Sequence, residues 1–261
     1  MYKHLIIPAF LALFSIQSAN RESIAETVDN SKATEILQRA DDVRSPWSDF
    51  NMIATLSYEK MREQKKNVFR VYVKDHIKSL VCYIEPPRQR GNLLLMLDEY
   101  LWYYVYSTQR PMRITPIQKL SGGASYGDLS KLSWSRDYTA TMDGTTQISV
   151  KGRNYNTWFL KLKARSRSAT YSTIDLYVEK ETGYPRKAVV YLQSGKKMKT
   201  LYFTGFSTIS GQIMNNTIEF IDHLESDSKT TMIFSNVVVR KSPERYFLKS
   251  NLSSISMDIL N

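Results

Sequence analysis

Before Pro46 the apolar positions Ala33, Ile36, Leu37 and Ala40 fall at i, i+3, i+4 and i+7, which predicts a helix from Ser31 with one apolar stripe. From there the period changes to two. Phe50, Met52, Ala54 and Leu56 alternate with Asn51, Thr55 and Ser57, and Phe69, Val71 and Val73 alternate with Arg70, Tyr72 and Lys74, as in strands buried on one face. The signal returns at Leu80, Cys82 and Ile84; at Leu93 to Leu97 and Leu101 to Tyr106 around an Asp98-Glu99 turn; and at Trp158, Leu160 and Leu162. It continues at Ile174, Leu176 and Val178; at Ala188, Val190 and Leu192; at Leu201 and Phe203; at Ile218 and Phe220; and from Thr230 to Val239. Turns at Asp143-Gly144, Thr182-Gly183 and Ser194-Gly195 separate ten or eleven short strands, which make one large, mostly antiparallel sheet.

One stretch breaks this rhythm. Thr115-Pro116-Ile117-Gln118 has the form of a capping box with Pro at the first helical position, which predicts a short helix ended by Gly122-Gly123. A second turn or two follows from Asp128, with Leu129 and Leu132 on one side. Two brief helices burying only Ile117, Leu120, Leu129 and Leu132 suggest a flap over the concave face of a curved sheet. Spacing leaves a fixed plug and a movable lid equally open. The run Leu101-Trp102-Tyr103-Tyr104-Val105-Tyr106 carries large side chains on both faces of one strand, so that strand is either buried on both sides or a ligand wall packed under a helix.

The N-terminus changes the compartment. Lys3 and His4, the 12-residue apolar run Leu5 to Ile16, and Ser18-Ala19 form an export signal; the run is too short to span a bilayer. Residues 1–19 are therefore expected to be removed, with cleavage near Ala19. No Cys stands nearby to carry a lipid anchor. Residues 20–30 read as a flexible polar segment and 31–261 as a single domain. With 36 Lys and Arg against 25 Asp and Glu the net charge is +11, which favours anionic surfaces; export argues against nucleic acid. Cys82 is the only cysteine, so no intramolecular disulfide can form, and its apolar neighbours make it a core residue.

Catalytic patterns are missing. His76 and His223, without a cysteine cluster or an HExxH spacing, do not form a metal site. Ser121-Gly122-Gly123-Ala124-Ser125 lacks a strand-to-helix elbow for a nucleophilic serine, so its glycines read as linker. Neither GxGxxG nor a P-loop occurs. No enzyme activity, cofactor or metal is expected.

The segment Tyr83-Ile84-Glu85-Pro86-Pro87-Arg88-Gln89-Arg90-Gly91 is followed by Leu101-Trp102-x-Tyr104, Arg110-Pro111-Met112-Arg113-Ile114, the Pro116 to Leu120 stretch, Gly127-Asp128 and Asp137-Tyr138-Thr139-Ala140. This ordered series, from about Pro46 to Gly144, resembles the bacterial outer membrane lipoprotein-sorting protein family, similar to the periplasmic carrier LolA. The resemblance implies an α+β, mainly antiparallel fold: a half-open β-barrel of about eleven strands, with an N-terminal helix and short lid helices on the concave face. It further implies a periplasmic carrier of lipid or lipoprotein acyl chains, an inner-membrane transporter of the resistance-nodulation-division (RND) type, an outer-membrane acceptor and a monomeric state. A lipid- or lipoprotein-sensing regulatory domain on the same fold is the alternative. The lid arginine of the characterised carriers has two candidates, Arg70 and Arg113, and the sequence does not choose between them.

Period-two alternation places Leu56, Val71, Val73, Leu80, Ile84, Leu160, Leu176 and Val190 on the wall of one cavity, with Ile117, Leu120, Leu129 and Leu132 as its lid. The chemistry is coherent. An acyl chain costs about 0.8 kcal/mol per methylene in water, and a half-barrel has an apolar face that no second sheet covers.

Overall fold

The computed structural model describes residues 30–60, 63–225 and 228–260. The export signal, its cleavage site and residues 20–29 lie outside these. The helical stripe becomes α1 (30–44), which buries Ala33, Ile36, Leu37, Ala40 and Val43 and ends just before Pro46, as the ring of proline requires.

The strands follow as β1 (Phe50–Lys60), β2 (Glu63–Lys74), β3 (Lys78–Glu85), β4 (Leu93–Leu97), β5 (Tyr100–Val105) and β6 (Arg110–Ile114). Next come a small ribbon of β7 (Lys119–Ser121) and β8 (Ala124–Ser125), and two short helices, α2 (Tyr126–Ser130) and α3 (Trp134–Asp137). The second run comprises β9 (Tyr138–Val150), β10 (Arg153–Ala164), β11 (Thr173–Glu179), β12 (Pro185–Tyr191), β13 (Lys197–Ile209), β14 (Gln212–Asp222) and β15 (Ser228–Val238), before a C-terminal α4 (Leu252–Leu260).

Thirteen of these strands form one sheet in the order β6-β5-β4-β3-β2-β1-β15-β14-β13-β12-β11-β10-β9, with every neighbouring pair antiparallel. The sheet is not closed, because β6 and β9 are both edges. It is the expected open barrel, with more strands than the eleven expected. Asp143-Gly144 makes no turn: β9 runs through it, with Gly144 at φ +112° and a register shift on β10 between Trp158 and Leu160, the signature of a bulge that bends a long strand.

The inner face carries the main core, including Phe50, Met52, Ala54, Phe69, Phe203 and Phe220, with α1 packed into it. A second, smaller cluster lies on the outer face of β2 to β5. There Tyr72, Leu80, Cys82, Leu93, Leu95 and Tyr104 pack beneath Phe247, Leu252 and Ile255 of the C-terminal segment. The aromatic run on β5 is thereby explained. Leu101 and Tyr103 join the inner core, while Trp102 and Tyr104 lie under that segment. Among the described residues no helix is long and apolar enough to cross a membrane.

Candidate functional site: a flap latched over the concave face

Residues 115–137 leave the free edge β6 and arrive at the free edge β9. The segment that covers the inner face is therefore also the one that bridges the gap in the barrel. Its first half is not the expected helix. Residues 116–118 form a turn leading into β7. The Thr115 N–H does donate to Gln118 Oε1 at 3.2 Å, but the same side-chain contact serves a turn as well as a helix. The second half does hold the expected helical turn, but α2 starts at Tyr126 and ends at Ser130, so Leu132 lies beyond it; the helix opens with a capping box in which Asp128 accepts the Ser125 N–H at 2.8 Å.

Of the wall residues, Leu56, Val71, Val73, Leu160, Leu176 and Val190 all lie in the inner core. Leu80 and Ile84 do not. Val71 opposes Val81 and Tyr72 opposes Leu80, which puts Leu80 on the outer face with Tyr72 and Cys82. Ile84 is the extra residue of a bulge, since Val68 pairs with Glu85 and Phe69 with Tyr83, and it belongs to neither cluster. Val81 and Tyr83 take the inner positions instead. The cause is coverage. Ser79 to Tyr83 are buried on both faces, so the polar alternation that reports register is lost.

Leu129 and Leu132 of the flap are buried in the inner core, with Ile117 and Leu120 half-buried against it. Between flap and sheet remains a cavity of ≈ 20 Å³ beside Arg44, Asp128 and Tyr171, room for about one water molecule and none for an acyl chain.

Polar contacts add to this apolar seal. Lys199 on β13 is 1% exposed and donates to Gly123 O at 2.6 Å, Ser125 Oγ at 2.9 Å and Asp128 Oδ2 at 2.8 Å. The Tyr171 hydroxyl donates to Asp128 Oδ1 at 2.6 Å, and the Gly123 N–H to Thr230 Oγ1 at 2.9 Å. A second anchor stands at the end of α1. Asp41 accepts the N–H groups of Trp134 at 2.8 Å and Ser135 at 2.6 Å. Arg44 donates to Leu132 O at 2.9 Å and to Asp41 at 3.2 Å and stacks 3.6 Å from the centre of the Trp134 ring. Burial pushes Lys199 and Arg44 below their ordinary values against the opposing pull of Asp128 and Asp41, and it pushes the Tyr171 phenol well up.

Gly122 and Gly127 are close-packing residues rather than linker. A Cβ on Gly122, at φ +54°, would lie 2.4 Å from Thr230 Oγ1 and 2.5 Å from a Tyr58 ring carbon; one on Gly127 would lie 2.1 Å from Thr170 Oγ1. The flap seats this tightly only without those side chains.

Neither Arg70 nor Arg113 takes part in these contacts. Arg70 is exposed, opposite Cys82 on the outer side of β2, and Arg113 is exposed over the Tyr100 ring. Arg44, Asp41, Asp128 and Lys199 were missed by pattern reading, yet each left a trace. Lys199 shares the inner register with Leu201 and Phe203, and Arg44 and Asp41 lie four residues after Ala40 and Leu37 on the helix stripe.

Burial holds the Cys82 thiol well above its ordinary range. His76 is within 3.3 Å of Ser45 Oγ and His223 within 2.8 Å of Thr200 Oγ1; burial pushes His223 down. Among the described residues no group of three His, Cys, Asp or Glu side chains could hold a metal ion. At the rim, beside Leu120 and Gly122, a groove of ≈ 680 Å³ is lined by Lys65, Lys66, Arg88 and Lys119 with Glu63 and Glu225.

A family model described as "-like: Uncharacterized protein" matches residues 75–254, over half of the chain. No curated protein matches. Among solved structures, a LolA superfamily protein from Nitrosomonas europaea is 27% identical, with a TM-score of 0.76 over 84% of this chain and 98% of its own. A DUF1329 family protein from Desulfovibrio piger is 20% identical, at TM-score 0.73 over 86% and 99%. An outer membrane lipoprotein-sorting protein domain from Vibrio parahaemolyticus is 18% identical, at 0.72 over 86% and 99%; these last two bear on the fold alone.

Proposed function

The chain belongs to the LolA-like family of outer membrane lipoprotein-sorting proteins, and from that premise we propose that it is a periplasmic carrier of acyl chains. The observation that carries this reading is the position of the flap: it spans the two free edges of the barrel, and its inner side is the roof of the apolar face. Lifting it exposes Leu56, Val71, Val73, Leu160, Leu176 and Val190 together, an apolar trough for which an acyl chain is the natural occupant. Ile117, Leu120, Leu129 and Leu132 move with the flap. An acyl chain restores to the sheet the apolar contacts that the flap gives up, so closed and loaded states differ by only a few kcal/mol. No chemical step is required, which fits a carrier rather than an enzyme.

The fuller reading has residues 1–19 cleaved on export, residues 31–261 acting as one carrier domain, a monomer in transit, an RND-type transporter as inner-membrane donor, and an outer-membrane acceptor for the lipid or lipoprotein. Transfer of a fluorescent acyl lipid between two vesicle populations tests it. Acceleration by the purified protein supports the carrier; tight binding without transfer favours a lipid-sensing domain, and no binding removes both.

A further inference from the structure

The latch contains a charge that makes no hydrogen bond to the sheet itself. All three hydrogen bonds of the Lys199 ammonium go to the flap, at Gly123, Ser125 and Asp128. The rest of the protein offers it the ring faces of Tyr171 at 5.2 Å and Phe220 at 5.6 Å and, through space without a hydrogen bond, the carboxylate of Asp222, its cross-strand neighbour on β14; Lys119 on the flap opposes the charge. Its neighbours in register, Leu201 and Phe203, are apolar and buried. When the flap lifts, the ammonium loses all three hydrogen bonds and its paired carboxylate and keeps only Asp222, which it does not hydrogen-bond, and breaking a buried pair in this way is strongly unfavourable. An uncharged chain entering the trough does nothing to relieve this. A chain that ends in an anion does.

We propose that the cargo is an anionic amphiphile, with a carboxylate or phosphate attached to its acyl chain, and that this anion replaces Asp128 as the partner of Lys199 when the flap opens. The inference rests on the carrier reading and names the class of its cargo. Lys199 then has two alternative partners, one in the closed state and one in the loaded state. Asp128 keeps the Ser125 N–H as a donor after release, so the carboxylate on the departing flap retains a partner of its own, while the Tyr171 hydroxyl stays behind with the sheet. The ring faces of Tyr171 and Phe220 favour a cation there in either state.

The test compares oleate with methyl oleate, which differ in charge at one end, by displacement of a neutral fluorescent acyl probe. Wild-type protein is expected to bind oleate at least tenfold more tightly. In Lys199→Met the ratio falls to within threefold. In Asp128→Asn, which removes the competing carboxylate but keeps Lys199, oleate binding tightens severalfold and its advantage persists, so the proposal stays testable should Lys199→Met fail to fold. Equal binding of the two ligands by wild type, or a ratio that survives Lys199→Met, overturns the inference and leaves the carrier reading intact; failure of the probe itself to bind removes the carrier reading. Inorganic phosphate and acetate are expected not to displace the probe; displacement by either at oleate's concentration points to a free-anion site and overturns the proposal.

Discussion

Adding a single methyl group at Gly127 forces the flap away from the sheet by an amount the structure sets. The new Cβ would stand 2.1 Å from Thr170 Oγ1, 2.6 Å from its Cγ2 and 2.9 Å from its Cβ, whereas ordinary contact begins at 3.4 Å. Helix α2 must therefore move by about 1.3 Å, the difference between 3.4 Å and 2.1 Å. Asp128 is the next residue, bonded to Lys199 at 2.8 Å and Tyr171 at 2.6 Å, and both bonds would stretch beyond hydrogen-bonding range. Overpacking costs about 1–3 kcal/mol and buried groups left unsatisfied cost a similar amount. A destabilisation of the closed flap by about 3 kcal/mol raises the open population about a hundredfold. Gly127→Ala is expected to tighten binding of a neutral acyl probe by one to two orders of magnitude, with a modest fall in Tm. Adding Thr170→Ala removes Oγ1 and Cγ2 and leaves only the 2.9 Å contact, so most of the effect should be reversed. Unchanged probe affinity together with a large fall in Tm would refute the reasoning and make the segment a fixed plug.

The remaining predictions concern other parts of the chain. Burial holds the His223 imidazole below its ordinary value near 6.5, so the unfolded chain binds that proton more readily. Its contribution to stability is present above pH 6.5 and is lost as pH falls through the lower folded value. His223→Gln should accordingly flatten the fall of the urea midpoint between pH 7.5 and 5; an unchanged slope contradicts this. Cys82 is fully buried with its thiolate disfavoured, so a disulfide reagent should react with native protein only at the rate of unfolding, and rapid labelling would place it elsewhere. Phe247→Ala should cost about 3–5 kcal/mol in denaturant unfolding without changing acyl-probe affinity, because Phe247 packs on the outer cluster; a matching loss of affinity would tie that cluster to the site.

How much of the fold could be read from the sequence depended on whether a strand kept one wet face. Phe50, Met52, Ala54 and Leu56 are buried while Thr55 and Ser57 opposite them are half-exposed, and the register of β1 is legible. The outer face of β3 is covered by Phe247, Leu252 and Ile255 from more than 160 residues away in the chain, and no local pattern reports such a partner. The turn at Thr115 to Gln118 shows that capping chemistry marks a chain reversal without deciding between a helix and a strand as the next element. The latch was hidden for a different reason. Lys and Asp at single positions read as solvated surface, and only the tertiary fold brings Lys199 to Asp128 and Ser125, each more than 70 residues away from it. Their placement on the apolar register is the one local trace they leave.

Locking the flap shut tests the central claim most directly. The Cβ position of residue 123 is 3.7 Å from Asp222 Cβ, within the spacing that a disulfide spans. In the double variant Gly123→Cys with Asp222→Cys the bond would tie the flap to β14, with the buried Cys82 thiol no competitor for it. Acyl-probe binding should be abolished on oxidation and restored by reductant in the same sample. Full binding by the oxidised protein would contradict the account, because the cargo would then reach its site without the flap moving.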